Sequence, residues 1–129
     1  MREVVTAILK NEDKILIVKR GKRVNTFRGK WSGISGRMES TPLESIKREV
    51  EEETGIPAEK ATLIREGNPI LAEGEGLEFK VYPFLYEVAD KKITLNWENT
   101  EYRWIKPHEI KRYRTVPQLI DVIEEMLKE

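Results

Sequence analysis

The chain has 129 residues, 39% of them hydrophobic and 36% charged. This predicts a single domain over residues 1–129, because two cores of half that size would be unstable. It contains no cysteine and one histidine, His108, which excludes disulfides, thiolate metal sites and multi-histidine zinc sites. The 23 basic residues balance the 23 acidic ones, so net charge favours neither duplex nucleic acid nor an anionic membrane as a partner.

The first segments in chain order predict a β-hairpin with no signal peptide before it. Residues 4–10 have the composition of a strand, residues 11–13 form a turn cluster, and residues 14–20 are the partner strand. Apolar runs are only a few residues long, as at 15–18, far from the roughly 18 residues of a membrane helix. We therefore expect a cytoplasmic protein with no membrane-spanning segment.

A basic loop and an extended segment follow the hairpin. Residues 14–30 contain seven basic side chains and no acidic one. The polar loop at residues 21–30 lies within this stretch. Residues 31–36 read Trp-Ser-Gly-Ile-Ser-Gly and are expected to be extended. A loop of this charge is suited to binding an anion.

The strongest helix signal covers residues 42–54. Thr41 can cap the helix, Pro42 suits its first position, and Glu44 completes a capping box. Gly55 supplies the stop.

The second half of the chain predicts further strands and a terminal helix. Strands are expected at residues 61–65, 77–88, 93–95 and 102–105, and a helix at 116–127. Pro83 indicates that the strand at 77–88 is an edge strand or carries a bulge. The order of strands, helix, strands and helix predicts an α/β or α+β fold around one mixed sheet.

One face of the first helix concentrates negative charge. At helical spacing, Glu49, Glu52 and Glu53 gather beside the apolar stripe that faces the core. Like charges on one face destabilise a helix unless a cation neutralises them. Carboxylates prefer hard cations such as Mg²⁺ or Mn²⁺, and Mg²⁺ commonly binds substrate phosphates as well. A solvated acidic face is the alternative reading.

The residues around this face resemble the signature of the Nudix hydrolases, G-x5-E-x7-R-E-U-x-E-E-x-G-U with U aliphatic. Every fixed position of its second half is present over residues 48–56. Residues 31–36 and the segment from Glu98 to Trp104 are also similar to family features. The resemblance implies an α/β/α sandwich with a mixed central sheet.

One part of the signature is missing. Counting back from Arg48 puts Ser40 at the first motif glutamate and Ile34 at the motif glycine. The interval fits only if two residues are missing after Gly36, and Glu39 lies beside the vacancy. This motivates a second hypothesis, that the chain is a non-catalytic nucleotide-binding module.

The resemblance implies Mg²⁺-dependent hydrolysis of a nucleoside diphosphate linked to another group, with Mn²⁺ as a substitute ion. The implied metal ligands are Glu49, Glu52, Glu53 and the backbone of Gly36, with Gly33 as an alternative to Gly36. Glu52 is the implied general base, although family members differ in which glutamate acts, and Arg48 would orient Glu49 or Glu52. Similar enzymes also bring a downstream glutamate to the metal or the attacking water. Glu98 matches best, ahead of Glu101.

The expected substrate is a (deoxy)nucleoside triphosphate, cleaved to the monophosphate and pyrophosphate, because the chain has no extension for a second recognition module. ADP-ribose and dinucleoside polyphosphates are the alternatives, and a homodimer is possible. The candidate phosphate contacts are Arg20, Arg23, Arg28 and Lys30. The candidates for stacking on the base are Trp31, Phe84 and Trp97.

Overall fold

The computed structural model describes residues 1–128, which form eight strands and two α-helices. The strands are β1 (Arg2–Asn11), β2 (Lys14–Arg20), β3 (Trp31–Ser32), β4 (Ile34–Arg37), β5 (Ala61–Glu66), β6 (Ile70–Gly74), β7 (Leu77–Val88) and β8 (Asn99–Ile105). The helices are α1 (Pro42–Thr54) and α2 (Leu119–Leu127), with short 3₁₀ turns at Ala58–Lys60 and Pro107–Arg112. No helix within residues 1–128 has the length and apolar character needed to cross a membrane.

All eight strands belong to one mixed sheet. β1 runs parallel to β7, and every other pairing is antiparallel. β1 and β2 pair only next to their turn and then diverge. The segment that the sequence predicted to be extended enters this gap, where β4 pairs with β1 and β3 with β2. It thereby comes to lie in the sheet beside α1.

Each face of the sheet carries one helix. In β2, Ile15 and Ile17 point to the core beneath α2. Leu16 and Val18 point to the core beneath α1. The alternation follows from the two-residue period of a strand. The predicted mixed α/β packing around one sheet is therefore confirmed.

Three predicted elements differ from the structure, and one of them is the strand predicted at residues 102–105, which begins at Asn99. Residues 93–95 are not a strand, because Thr94 donates its backbone N–H to the carbonyl of Thr54 at 2.9 Å and Ile93 packs under α1. The terminal helix begins at Leu119 rather than at residue 116. The backbone of Val116 is engaged with Trp31, whose carbonyl accepts its N–H at 3.0 Å, and Pro117 follows.

Pro83 lies in an internal strand, so of the two predicted alternatives the edge strand was wrong. The pairing of β7 with β5 does carry an irregularity, between Leu63 and Arg65. β7 has β1 on one side and β5 and β6 on the other. Pro83 falls where the partner changes from β5 to β6, and its carbonyl accepts the N–H of Gly67 at 3.0 Å. Its missing N–H faces the same side. Pairing with β5 ends at Glu66 and pairing with β6 begins at Ile70, so Pro83 lies between the two ladders, where a proline is tolerated.

The end of α2 is held by Arg65 from β5. Its Nη1 donates to the carbonyls of Glu125, Met126 and Lys128 at 3.3, 3.2 and 2.7 Å. The positive charge of Arg65 also stabilises α2, because it lies at the negative, C-terminal end of the helix dipole. We expect Arg65→Ala to lower the free energy of unfolding by about 1–2 kcal/mol, measured by urea titration. Arg65→Lys should recover part of that loss, and an alanine variant as stable as the wild type would contradict the assignment.

Candidate active site

The bounds of α1 fix the direction in which its carboxylates point. Thr41 Oγ1 accepts the backbone N–H of Glu44 at 3.2 Å. At the other end Gly55 is left-handed, with φ 75°, and its N–H bonds to the carbonyl of Glu51 at 2.9 Å. The predicted helix is therefore confirmed at both ends. Its first turn leads from the extended strand β4, which places the middle of the helix against the sheet.

Three carboxylates from two segments meet beside this helix. Glu49, Glu53 and Glu98 each have a carboxylate oxygen within 4.8 Å of the others. Glu49 is 7% exposed and Glu53 is 2% exposed. Glu98 reaches them from the loop before β8, where its backbone carbonyl accepts the N–H of Gly21 at 2.8 Å. The structure thus brings together two helix glutamates and the downstream glutamate that the sequence singled out.

One oxygen of this cluster has no partner among the described residues. Asn99 Nδ2 donates to Glu53 Oε1 at 3.0 Å, whereas Glu53 Oε2 is buried without a hydrogen bond. A buried carboxylate oxygen without a donor is costly. Three carboxylates around such an atom are the donor set that Mg²⁺ or Mn²⁺ prefers. The residues present therefore fit a divalent cation.

The crowding of these groups perturbs their acidity. Burial is the largest cause that raises the pKa of Glu53 well above its ordinary value, and its contact with Glu49 and the charge of Glu98 add to it. Burial also raises the pKa of Glu49, although its contact with the Glu53 carboxyl group and the charge of Arg48 partly oppose this rise. The cluster consequently favours a proton when no cation is present.

Gly36 allows the Glu49 carboxylate to lie against β4. A side-chain carbon added to Gly36 would overlap the carboxyl group of Glu49. The close approach also places the Gly36 backbone next to the cluster, where the sequence predicted a ligand.

We expect Gly36→Ala to displace the Glu49 carboxylate and to reduce turnover by about tenfold to a hundredfold, as for a misplaced catalytic group. Steady-state kinetics at saturating Mg²⁺ would measure the loss. Unchanged turnover in Gly36→Ala would argue against a fixed Glu49.

Arg48 lies on the outer side of α1 and pairs with three carboxylates, of which only that of Glu49 is buried. Its guanidinium lies 3.5 Å from Glu39 Oε2, 3.5 Å from Glu49 Oε1 and 3.8 Å from Glu52 Oε1. Glu52, whose side chain is 52% exposed, therefore forms an ion pair with Arg48 and lies outside the buried cluster. Glu39, which lies beside the shortened part of the motif, contacts Arg48 and is not part of the buried cluster.

A cavity of about 700 Å³ opens beside the carboxylate cluster. Glu49 and Glu98 line it together with the basic side chains of Arg20 and Arg23. Its other walls include the aromatic rings of Phe27 and Phe79 and the buried amide of Gln118. The cavity therefore combines an acidic side, a basic side and an apolar side in one space.

The basic loop contributes two of its four candidate cations to this cavity. Arg20 is held by Thr26, whose carbonyl and hydroxyl accept from its Nε and Nη2 at 2.9 and 3.2 Å. Burial lowers the pKa of Arg20, while the charges of Glu53, Glu98 and Glu75 oppose that shift. Arg23 lies over the exposed ring of Trp97, 5.8 Å from its centroid. Both cations face the space in front of the carboxylates.

The other two cations and Trp31 lie elsewhere. Arg28 Nε donates to the carbonyl of Val24 at 2.7 Å, and Lys30 lies 5.7 Å from the ring centroid of Phe27. Neither lines the cavity. Trp31 is 7% exposed and packs edge-on against Tyr113 at 5.3 Å. The structure thus places Trp31 in the core and does not bring it to the cavity, because β3 pairs with β2 and buries its side chain.

The cavity and cluster residues that were not singled out from the sequence include Phe27, Phe79, Gln118 and Asn99. Phe27 and Phe79 are far apart in sequence yet their ring centroids are 5.6 Å apart. Only Asn99 carried a usable signal, because it directly follows Glu98. Hydrophobic patterning alone reads the two phenylalanines as ordinary core.

Comparison with known proteins points in one direction. The family model described as "NUDIX domain" matches residues 1–126. The nucleoside triphosphatase NudI of Klebsiella pneumoniae (strain 342) is 26% identical over 126 residues, which is 87% of this chain and 86% of that protein. NudI of Escherichia coli O139:H28 is 25% identical with the same coverage.

Solved structures show the same similarity in three dimensions. The MutT protein from Methanosarcina mazei Go1 is 26% identical, with a TM-score of 0.75 over 95% of this chain and 90% of that one. A binary complex of the Caenorhabditis elegans Ap4A hydrolase has a TM-score of 0.81 at 12% identity, over 97% and 94% of the two chains. At that identity the likeness concerns the fold alone.

Proposed function

The chain belongs to the Nudix hydrolase family, and on that premise we propose that it hydrolyses a (deoxy)nucleoside triphosphate to the monophosphate and pyrophosphate in the presence of Mg²⁺. The observation that carries the proposal is the cavity, in which the Glu49–Glu53–Glu98 cluster faces Arg20 and Arg23. Cations on both sides of a polyphosphate neutralise the charge that develops during phosphoryl transfer. The relatives named above as nucleoside triphosphatases support the same substrate class.

Glu49, Glu53 and Glu98 would hold the ion, with the backbone of Gly36 beside them. A bound Mg²⁺ would neutralise phosphate oxygens and lower the pKa of a water molecule. A carboxylate that binds a divalent metal ion is a poor proton acceptor, so the base should be a carboxylate outside this cluster. Glu52 meets that condition, since it lies one turn from Glu49 and is held by Arg48 at 3.8 Å. In the proposed reaction, Glu52 accepts the proton of the attacking water.

The apolar side of the cavity is suited to binding a nucleobase. Phe27 and Phe79 offer aromatic surface, against which a base can stack. Gln118 is 7% exposed, and its Oε1 has no hydrogen-bond partner among the described residues. A base that supplies the complementary donor and acceptor should bind such a buried amide more tightly than a base that leaves the amide unpaired.

A nucleotide panel with product identification tests the proposal. Ribonucleoside and deoxyribonucleoside triphosphates, ADP-ribose and a dinucleoside polyphosphate are incubated with Mg²⁺ in ¹⁸O-labelled water, and the products are analysed by mass spectrometry. We expect a triphosphate to give the monophosphate and pyrophosphate, with the label showing which phosphorus water attacked. Preferred cleavage of ADP-ribose or the dinucleotide would reassign the substrate. Nucleotide binding without turnover would favour the non-catalytic module.

A further inference from the structure

Two left-handed residues that are not glycine touch each other across the cavity wall. Within residues 1–128 only Glu12, Phe27 and Glu75 combine a positive φ with a side chain, and the values for the last two are 49° and 52°. The backbone N–H of Phe27 donates to Glu75 Oε1 at 3.1 Å. Because L side chains disfavour this conformation, a pair of such residues in mutual contact indicates a functional constraint.

Glu75 projects from a turn that usually takes other residues. It forms the β6–β7 hairpin loop with Gly76, whose φ is 74°, and Gly74 pairs with Leu77 across the strand ends. A two-residue loop with both φ values positive favours Asn, Asp or Gly at its first position. The turn geometry therefore does not account for a glutamate there.

The hairpin tip also packs directly on the loop. A side-chain carbon added to Gly74 would lie 2.9 Å from Phe27 Cε1 and 2.8 Å from Pro117 Cγ. The tip thus contacts the phenylalanine of the basic loop and the residue that precedes Gln118. Both Phe27 and Gln118 line the cavity, whereas Glu75 is not part of its lining.

We propose that Glu75 is a positioning residue, whose carboxylate fastens the basic loop at Phe27 and so shapes the nucleoside side of the cavity. The proposal rests on the proposed function for its substrate, but not for the contact itself. A charged acceptor makes a stronger hydrogen bond to a backbone N–H than a neutral one does. With the bond in place, the Phe27 ring is held against Phe79.

Three variants test the role of Glu75. Glu75→Ala removes the acceptor, Glu75→Gln keeps an oxygen in its place, and Glu78→Ala removes an exposed carboxylate from the same hairpin as a control. Glu75→Ala should raise KM for the preferred nucleotide by about five- to tenfold, the value of one hydrogen bond. Its kcat should stay within roughly twofold, because no group beside the carboxylate cluster moves. Glu75→Gln should raise KM less than Glu75→Ala does, because its neutral oxygen accepts a weaker hydrogen bond. Glu78→Ala should match the wild type in both constants.

Hydrogen exchange at the Phe27 amide provides a readout that needs no substrate. We expect NMR to show exchange faster by about tenfold or more in Glu75→Ala and a smaller increase in Glu75→Gln. An unchanged Phe27 exchange rate in Glu75→Ala would overturn the proposal, as would a glutamine variant as impaired as the alanine one. If the wild type hydrolyses no nucleotide, the proposed function fails, while the exchange rate alone still decides whether Glu75 fastens the loop.

Gly74→Ala provides an independent test, because it keeps Glu75 and crowds the Phe27 ring instead. It should raise KM in the same direction with kcat retained. A normal KM in this variant would mean that the hairpin tip does not determine the position of Phe27.

Discussion

A Glu53→Gln variant is expected to be more stable than the wild type without metal at pH 8, by about 1–2 kcal/mol, and to lose on the order of 10³-fold in kcat with Mg²⁺. Glu53 is 2% exposed, and burial followed by its contact with Glu49 raises its pKa well above the ordinary value. A neutral amide avoids the cost of that charge. Its oxygen can still accept from Asn99, and its NH₂ group can donate to Glu49.

The pH dependence of the stability has a definite sign. A carboxyl group whose pKa is raised in the folded state binds its proton more tightly there than in the unfolded chain. Its contribution is therefore fully present below the unfolded pKa and is lost as the pH rises through the folded value. The metal-free wild type should thus lose stability as the pH rises from about 5 to 8, and the Glu53→Gln variant should lose less.

Urea titrations in EDTA at several pH values measure both effects, and saturating Mg²⁺ should restore the wild type at pH 8. Glu51→Gln is the matched control, because Glu51 is an exposed carboxylate on the same helix. If Glu53→Gln were less stable than the wild type in EDTA at pH 8, the buried charge of Glu53 would not be what destabilises the metal-free protein.

The sequence could predict those parts of the site that depend on residues close together in the chain. Thr41, Pro42 and Gly55 act through local backbone chemistry, so the helix bounds follow from the sequence alone. The motif identifies the family for the same reason, since it is local and dense in specified residues. The burial of Glu53 is different, because it depends on Asn99 and Glu98, which arrive from the far end of the chain.

The contrast between Glu52 and its neighbours shows the limit of helical spacing. Spacing groups Glu49, Glu52 and Glu53 on one face, but that face spans the boundary between the buried and exposed sides of α1. Arg48 draws Glu52 to the outer side, where it joins Glu39. Which carboxylate turns inward is decided by the tertiary contacts of Gly36 and β4, not by the helix.

The sheet shows a similar limit. Strand composition predicted β7 at its observed bounds, yet it could not predict that β3 and β4 would enter the gap between β1 and β2. That insertion buries Trp31, which a sequence reading treats as available for stacking. β6 was missed because its five residues lie among glycines and polar residues and alternate between exposed and half-buried positions.

Separate roles for Glu52 and Glu98 predict separate losses. Glu52→Gln should lower kcat by about 10²- to 10⁴-fold, the usual contribution of a general base, while the Kd for Mn²⁺ stays within roughly twofold. Glu98→Gln should instead weaken Mn²⁺ binding by about tenfold or more, because it removes one of three oxygens that lie within 4.8 Å of each other.

Mn²⁺ binding measured by electron paramagnetic resonance, together with kcat at saturating metal, separates these two effects. Glu101→Gln is the control for Glu98, because Glu101 is exposed in β8 and pairs with Lys19 at 3.6 Å. The reverse pattern, with metal affinity lost in Glu52→Gln and only kcat lost in Glu98→Gln, would exchange the two roles. In that case Arg48 must release Glu52 when the ion binds, and the ion pair at 3.8 Å belongs to the metal-free enzyme alone.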